Sequence, residues 1–129
     1  MPHITSREQF YSLFEAKKHV FIEFFSPGCK FCALFLDEFN RIYHHMQDTY
    51  GDEQVQIFTL NGNQFPDLVQ KHAIQYYPYF VYIAPYKGEG AAPHNIANRF
   101  LNQDRNYNNM INWMVSNAQG IQPKEKQGL

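Results

Sequence analysis

Apolar and polar positions along this chain follow two periods, one of strands and one of helices. Val20-Phe21-Ile22-Glu23-Phe24-Phe25 is apolar at every position but Glu23, the pattern of a strand buried on both faces. Val55 to Leu60 and Tyr79 to Ala84 predict a second and third strand, and a short one is predicted around Asn98 to Leu101. His3-Ile4-Thr5 reads as a short edge strand. Between these runs the spacing becomes helical. Thr5-x-x-Glu8 reads as a capping box ahead of Phe10, Leu13 and Phe14. From Cys32, the positions Phe35, Phe39, Ile42, Tyr43 and Met46 predict a helix that ends near Tyr50-Gly51. Pro66 opens a short helix with Leu68, Val69 and His72 on one side. Tyr107, Met110, Ile111, Met114, Val115 and Ala118 form the stripe of a last helix. A loop rich in Pro and Gly covers Pro85 to about Asn95. The order is βαβαβ, then a hairpin, then a helix. Right-handed crossovers make the first strands parallel and put helices on both faces. The expected architecture is an α/β domain over residues 1–121 with a polar tail at 122–129.

Composition narrows the function classes. A chain of 129 residues suits one domain with one core. The net charge of −1 offers no basic field to nucleic acid. Aromatics make up 17%, with 12 Phe and 9 Tyr, which predicts a bulky core and leaves ring surface for a partner. No run of eighteen apolar residues predicts a membrane span. No charged segment followed by an apolar one predicts a signal peptide, and none of the eleven Asn starts a glycosylation sequon. With Met1 as the start, the expected location is intracellular. Cytoplasm is favoured, mitochondrial import through internal signals is the alternative, and the secretory pathway is disfavoured.

Cys29-Lys30-Phe31-Cys32 holds the only two cysteines. Two residues three apart bring their α-carbons within the roughly 7 Å a disulfide needs if the first ends a turn and the second lies in the first turn of a helix. That placement aims helix N–H groups at the Cys29 sulfur and favours its thiolate. The spacing alone also fits a zinc knuckle or an inert pair. A structural zinc site needs four ligands. His19, His44 and His45 are poorly spaced to complete one, so no metal is expected. In a reducing compartment such a pair is transient and catalytic rather than a permanent staple, and no cofactor is implied.

Two segments carry a family resemblance. Ile22-Glu23-Phe24-Phe25-Ser26-Pro27-Gly28-Cys29-Lys30-Phe31-Cys32 resembles the active-site segment of thioredoxin and protein disulfide isomerase domains. Tyr76-Tyr77-Pro78-Tyr79-Phe80-Val81-Tyr82-Ile83 resembles their second signature, a proline followed by an apolar strand. The resemblance runs from Thr5 to Ala118 and implies a thioredoxin fold, a central mixed sheet with helices on both faces. It implies that Cys29 is the nucleophile and Cys32 the resolving thiol. Glu23 then matches the buried acid beneath the second thiol, and Pro78 the cis proline that faces the disulfide. Burial on an apolar run would raise the carboxyl pKa of Glu23, so that it can take the proton of Cys32. The chain departs from the family at Gly28 in place of Trp, at Lys30-Phe31 between the cysteines, at Asp37 in place of a helix-kinking Pro, and at Tyr79 in place of Thr. Gly28, Lys30 and Phe31 are therefore expected to tune the site, and Tyr77 and Tyr79, flanking Pro78, to bind substrate.

Two functions follow as expectations. One is a thiol–disulfide oxidoreductase acting on protein substrates through the Cys-Lys-Phe-Cys pair. The other is a structural or adaptor subunit of a larger assembly that uses the fold for binding. Trp113, well off the stripe of its helix, and Tyr86, at the start of the long loop, are the residues expected to anchor such a partner.

Overall fold

The computed structural model describes residues 1–88 and 94–125. Four helices, one 3-10 turn and four strands follow the predicted order. They are α1 (Arg7–Ser12), a 3-10 turn (Leu13–Glu15), β1 (His19–Phe25), α2 (Lys30–Thr49), β2 (Val55–Asn61), α3 (Pro66–Lys71), β3 (Tyr79–Ile83), β4 (Asn98–Phe100) and α4 (Tyr107–Asn117). The sheet order is β2-β1-β3-β4. β1 runs parallel to β2 and antiparallel to β3, and β3 pairs antiparallel with β4. The sheet is mixed, as the crossover and the hairpin require. The predicted first edge strand is reduced to one parallel bridge, His3 to Thr59.

Strand alternation divides the core in two. Val20, Ile22 and Phe24 of β1 point to the layer formed by α1, the 3-10 turn and α3, with Phe10, Phe14 and Leu68. Phe21 points to the other layer, against Phe35, Phe39, Ile42 and Met46 of α2 and Met110 and Met114 of α4. Both faces of β1 are covered, which is why its apolar run is nearly continuous. Each fully buried Phe or Ile contributes about 2–3 kcal/mol of transfer free energy.

The N-terminal cap lies one residue later than the predicted box. Ser6, not Thr5, caps α1, accepting the Gln9 N–H at 3.1 Å, while Gln9 Oε1 accepts the Thr5 N–H at 2.8 Å. The reciprocal logic is that of a capping box shifted by one position. Gln122 exchanges two hydrogen bonds with the Gln54 side chain, at 2.6 and 2.8 Å, and the Lys124 N–H donates to the Thr49 carbonyl. The first residues of the predicted tail are thus held on the domain, while 126–129 lie outside the described residues.

Candidate active site

Ser26-Pro27-Gly28 turns the chain from β1 into α2, and Cys29 is the N-cap of that helix. Its backbone is extended, its N–H donates to the Ser26 carbonyl (3.0 Å), and its Sγ accepts the Cys32 N–H at 3.1 Å. Cys29 and Cys32 form a disulfide with their α-carbons 5.2 Å apart. The pair is asymmetric: Cys29 reaches the surface and Cys32 is buried. Among the described residues no group of three or more His, Cys, Asp or Glu is placed to hold a metal.

Glu23 is only 5% exposed. It shares a sheet face with Phe21, and its register partner on β3 is Phe80. Phe80 meets Phe35 and Phe39 edge-on at 5.8 and 5.3 Å. Cys32, Phe35 and Phe39 form one inward stripe of α2. That stripe covers the sheet face on which Glu23 lies. Burial pushes the Glu23 carboxyl from 4.5 up to about 8, so it is mostly neutral at pH 7.

Pro78 is buried and the Tyr77–Pro78 bond is cis. Tyr77 and Pro78 line a groove of about 720 Å³, together with Phe31, Leu34, Tyr76 and Leu101. Phe31 and Leu34 are 69% and 70% exposed, so the groove wall beside the disulfide is strongly apolar. At its rim the Arg105 guanidinium stacks 5.1 Å over the Tyr76 ring. Glu38 is held there too, its carboxylate accepting the Tyr107 N–H at 3.1 Å. Tyr77 is seated against Gly62, where a β-carbon would collide with its hydroxyl.

Of the expected residues, Phe31, Tyr77 and Pro78 line one groove, the Cys29–Cys32 pair flanks Phe31 at the head of α2, and Glu23 lies on the sheet face that α2 covers. Lys30 is the first residue of α2 and exposed, and Gly28 is exposed with open space around its α-carbon. Tyr79 is a correction. Its side chain is 3% exposed and packs in the opposite layer with Val81 and Ile83, its hydroxyl accepting a hydrogen bond from Arg99 at 3.0 Å. Strand alternation turns it away from the groove, although its ring supports Tyr76 at 5.0 Å. Trp113 is a second correction. The indole packs inward, edge-on to Phe21 at 5.4 Å and Phe100 at 5.3 Å. It and Val115 sit on either side of the Met110–Met114–Ala118 row, and only the longer side chain reaches the sheet, leaving Val115 37% exposed. Tyr86 is 37% exposed, but most of the loop that follows it, 89–93, lies outside the described residues. Sequence reasoning missed Leu34, Tyr76, Leu101 and Arg105. The one signal available was Leu34 at i+3 from Phe31, an apolar pair off the core stripe.

A family model described as Thioredoxin matches residues 2–103. No curated protein matches the chain. Among solved structures, the first thioredoxin domain of mouse protein disulfide-isomerase A4 superposes with a TM-score of 0.70 at 17% identity, over 97% of this chain and 80% of that one. The thioredoxin of Malassezia sympodialis gives 0.69 at 16% identity, over 92% and 90%. The J-Trx1 fragment of ERdj5 gives 0.70 at 18% identity over 88% of this chain, which spans about half that fragment's length. At such identities these likenesses concern the fold.

Proposed function

The chain belongs to the thioredoxin family, and from that membership together with its site we propose that it is a thiol–disulfide oxidoreductase acting on protein disulfides. The observation that carries this reading is the asymmetry of the cystine. One sulfur is presented at the surface on a helix N-terminus, and the other is buried on the helix stripe that covers the sheet face of Glu23, a carboxyl kept mostly neutral by burial.

In the reduced protein Cys29 is the attacking thiolate. The Cys32 N–H that donates to its sulfur, and the N-terminal end of α2, favour negative charge there. Attack on a substrate disulfide gives a mixed disulfide and releases one substrate thiolate. Cys32 then attacks the Cys29 sulfur, freeing the second substrate thiolate, and its own proton passes to Glu23 in its ionised form, about a tenth of the molecules at pH 7. A carboxyl at about 8 is well matched to an ordinary thiol near 8.5, so this transfer is nearly even in energy. The reverse sequence oxidises a substrate dithiol, with protonated Glu23 returning the proton to Cys32.

The apolar wall made by Phe31, Leu34 and Leu101 favours substrates whose cystine is flanked by apolar side chains. Lys30 next to the nucleophile adds positive charge, which favours the thiolate and makes the disulfide more oxidising. The inward packing of Trp113 takes away one of the two anchors expected for an adaptor role, the other being the exposed Tyr86.

The test is trapping. Cys32→Ser should accumulate a mixed disulfide with an unfolded, cystine-containing peptide, identified by mass spectrometry as linked through Cys29. Cys29→Ser should trap none. Equal trapping through either cysteine, or none by either, would refute the assignment.

A further inference from the structure

Thr59 is a buried hydroxyl, 3% exposed, near the end of β2. The N-terminal segment is clamped onto it. Ile4 donates its N–H to the Thr59 carbonyl at 2.8 Å, and the Thr59 N–H donates to the Pro2 carbonyl at 3.0 Å. This clamp lays His3 beside Thr59 as a parallel bridge, and His3 Nδ1 is hydrogen-bonded to Thr59 Oγ1. On its other side, Thr59 is in register with Glu23 of β1. Partners in register on adjacent strands point to the same face about 4.8 Å apart. His3 itself is exposed. A buried carboxyl, a buried hydroxyl and a surface imidazole thus follow one another across the sheet to its edge.

We propose that Thr59 and His3 form a proton relay that connects Glu23 to solvent during thiol–disulfide exchange, a role that rests on the oxidoreductase reading above. When Cys32 attacks Cys29 in the mixed disulfide, the Cys32 S–H bond breaks and the Cys29–Cys32 bond forms. The substrate thiolate leaves, and the proton goes to the Glu23 carboxylate. Because Glu23 is mostly protonated at pH 7, a proton must leave it before Cys32 can attack, and again before the next cycle. The Glu23 carboxyl is not hydrogen-bonded to Thr59 in the oxidised structure, so it first turns towards its register partner; its proton passes to the Thr59 oxygen while the hydroxyl proton of Thr59 passes to His3 Nδ1, and the imidazolium gives its Nε2 proton to water. A hydroxyl suits the middle place because it accepts and donates at one atom. No electron moves in the relay, and each group ends with the proton count it began with.

Among the described residues, the neighbours of Glu23 on β1, β3 and α2 offer no comparable exit. Phe21 and Phe25 lie on the same face of its own strand and Phe80 on β3, and α2 covers that face with Cys32, Phe35 and Phe39. Among these, Cys32 is the only titratable group, and it is the source of the proton. Residues far apart in sequence, at positions 3, 23 and 59, meet only because β2 sits between β1 and the N-terminal segment.

The experiment combines a titration with single-turnover kinetics on the full chain. In oxidised protein labelled with ¹³C at glutamate carboxyls, the Glu23 signal should show an inflection that moves when His3 is replaced by Ala. Thr59→Val should keep the inflection and make it insensitive to His3→Ala. In stopped-flow kinetics at low buffer concentration, His3→Ala should slow the resolving step about tenfold, a modest share of what a positioned proton carrier supplies. Free imidazole should restore it. Thr59→Val should be slowed similarly without rescue by imidazole, and Thr59→Ser should behave as wild type, while the first attack is unchanged in all three. Unslowed resolution in both His3→Ala and Thr59→Val, or a Glu23 titration blind to His3, would overturn the relay. If the wild-type protein exchanges no disulfides at all, it is the oxidoreductase reading that fails.

Discussion

The ionisation of Glu23 predicts a pH dependence of stability that a single substitution isolates. Its carboxyl titrates near 4.5 when exposed and at about 8 in the folded protein, because burial penalises the charge. The folded state therefore holds a proton that the unfolded state has lost throughout the window between those values. Stability from this group is fully present below pH 4.5 and is lost as pH rises towards 8. At 1.36 kcal/mol per pH unit the loss is about 3 kcal/mol at pH 7 and approaches about 5 kcal/mol above pH 8. Glu23→Gln keeps the shape and the neutral form but cannot ionise. The two proteins should differ by a nearly constant amount below about pH 4. The variant should then gain on the wild type by about 4 kcal/mol between pH 5 and pH 9. Urea unfolding of the oxidised proteins at one-unit pH steps measures this directly, and taking the difference cancels every other titrating group. Parallel stability curves across the window would refute a neutral buried Glu23 and, with it, its use as a base matched to Cys32.

Two further outcomes test how the site is held. Gly62→Ala should displace Tyr77, since a β-carbon there meets the Tyr77 hydroxyl; a loss of about 1–3 kcal/mol in urea unfolding, with weaker peptide binding at the groove, is expected, and wild-type binding would show that Tyr77 needs no such seat. Trp113→Ala should cost about 3 kcal/mol because the ring packs on Phe21 and Phe100; an unchanged melting temperature would place the indole at the surface instead.

Much of the fold and half of the site were legible in the chain itself. Hydrophobic periodicity reflects neighbours three, four or two residues apart, so it located every helix and paired strand to within a few residues. The cysteine pair and its helix cap are likewise local, since Cys29 and Cys32 are brought together by one helical turn. Glu23 stood out as the lone acid in an apolar run, and Pro78 as the start of a buried strand. Tyr79 and Trp113 were misread because side-chain direction depends on which layer covers each face and on how far a ring can reach across it. Tyr76, Leu101 and Arg105 border the disulfide only through the packing of β3, β4 and α4 around the head of α2. The same holds for His3, Thr59 and Glu23, which no local pattern links. Periodicity is a property of adjacent residues and survives in the linear chain. Groove walls and cross-strand chains of polar groups exist only once the strands have chosen their neighbours and register.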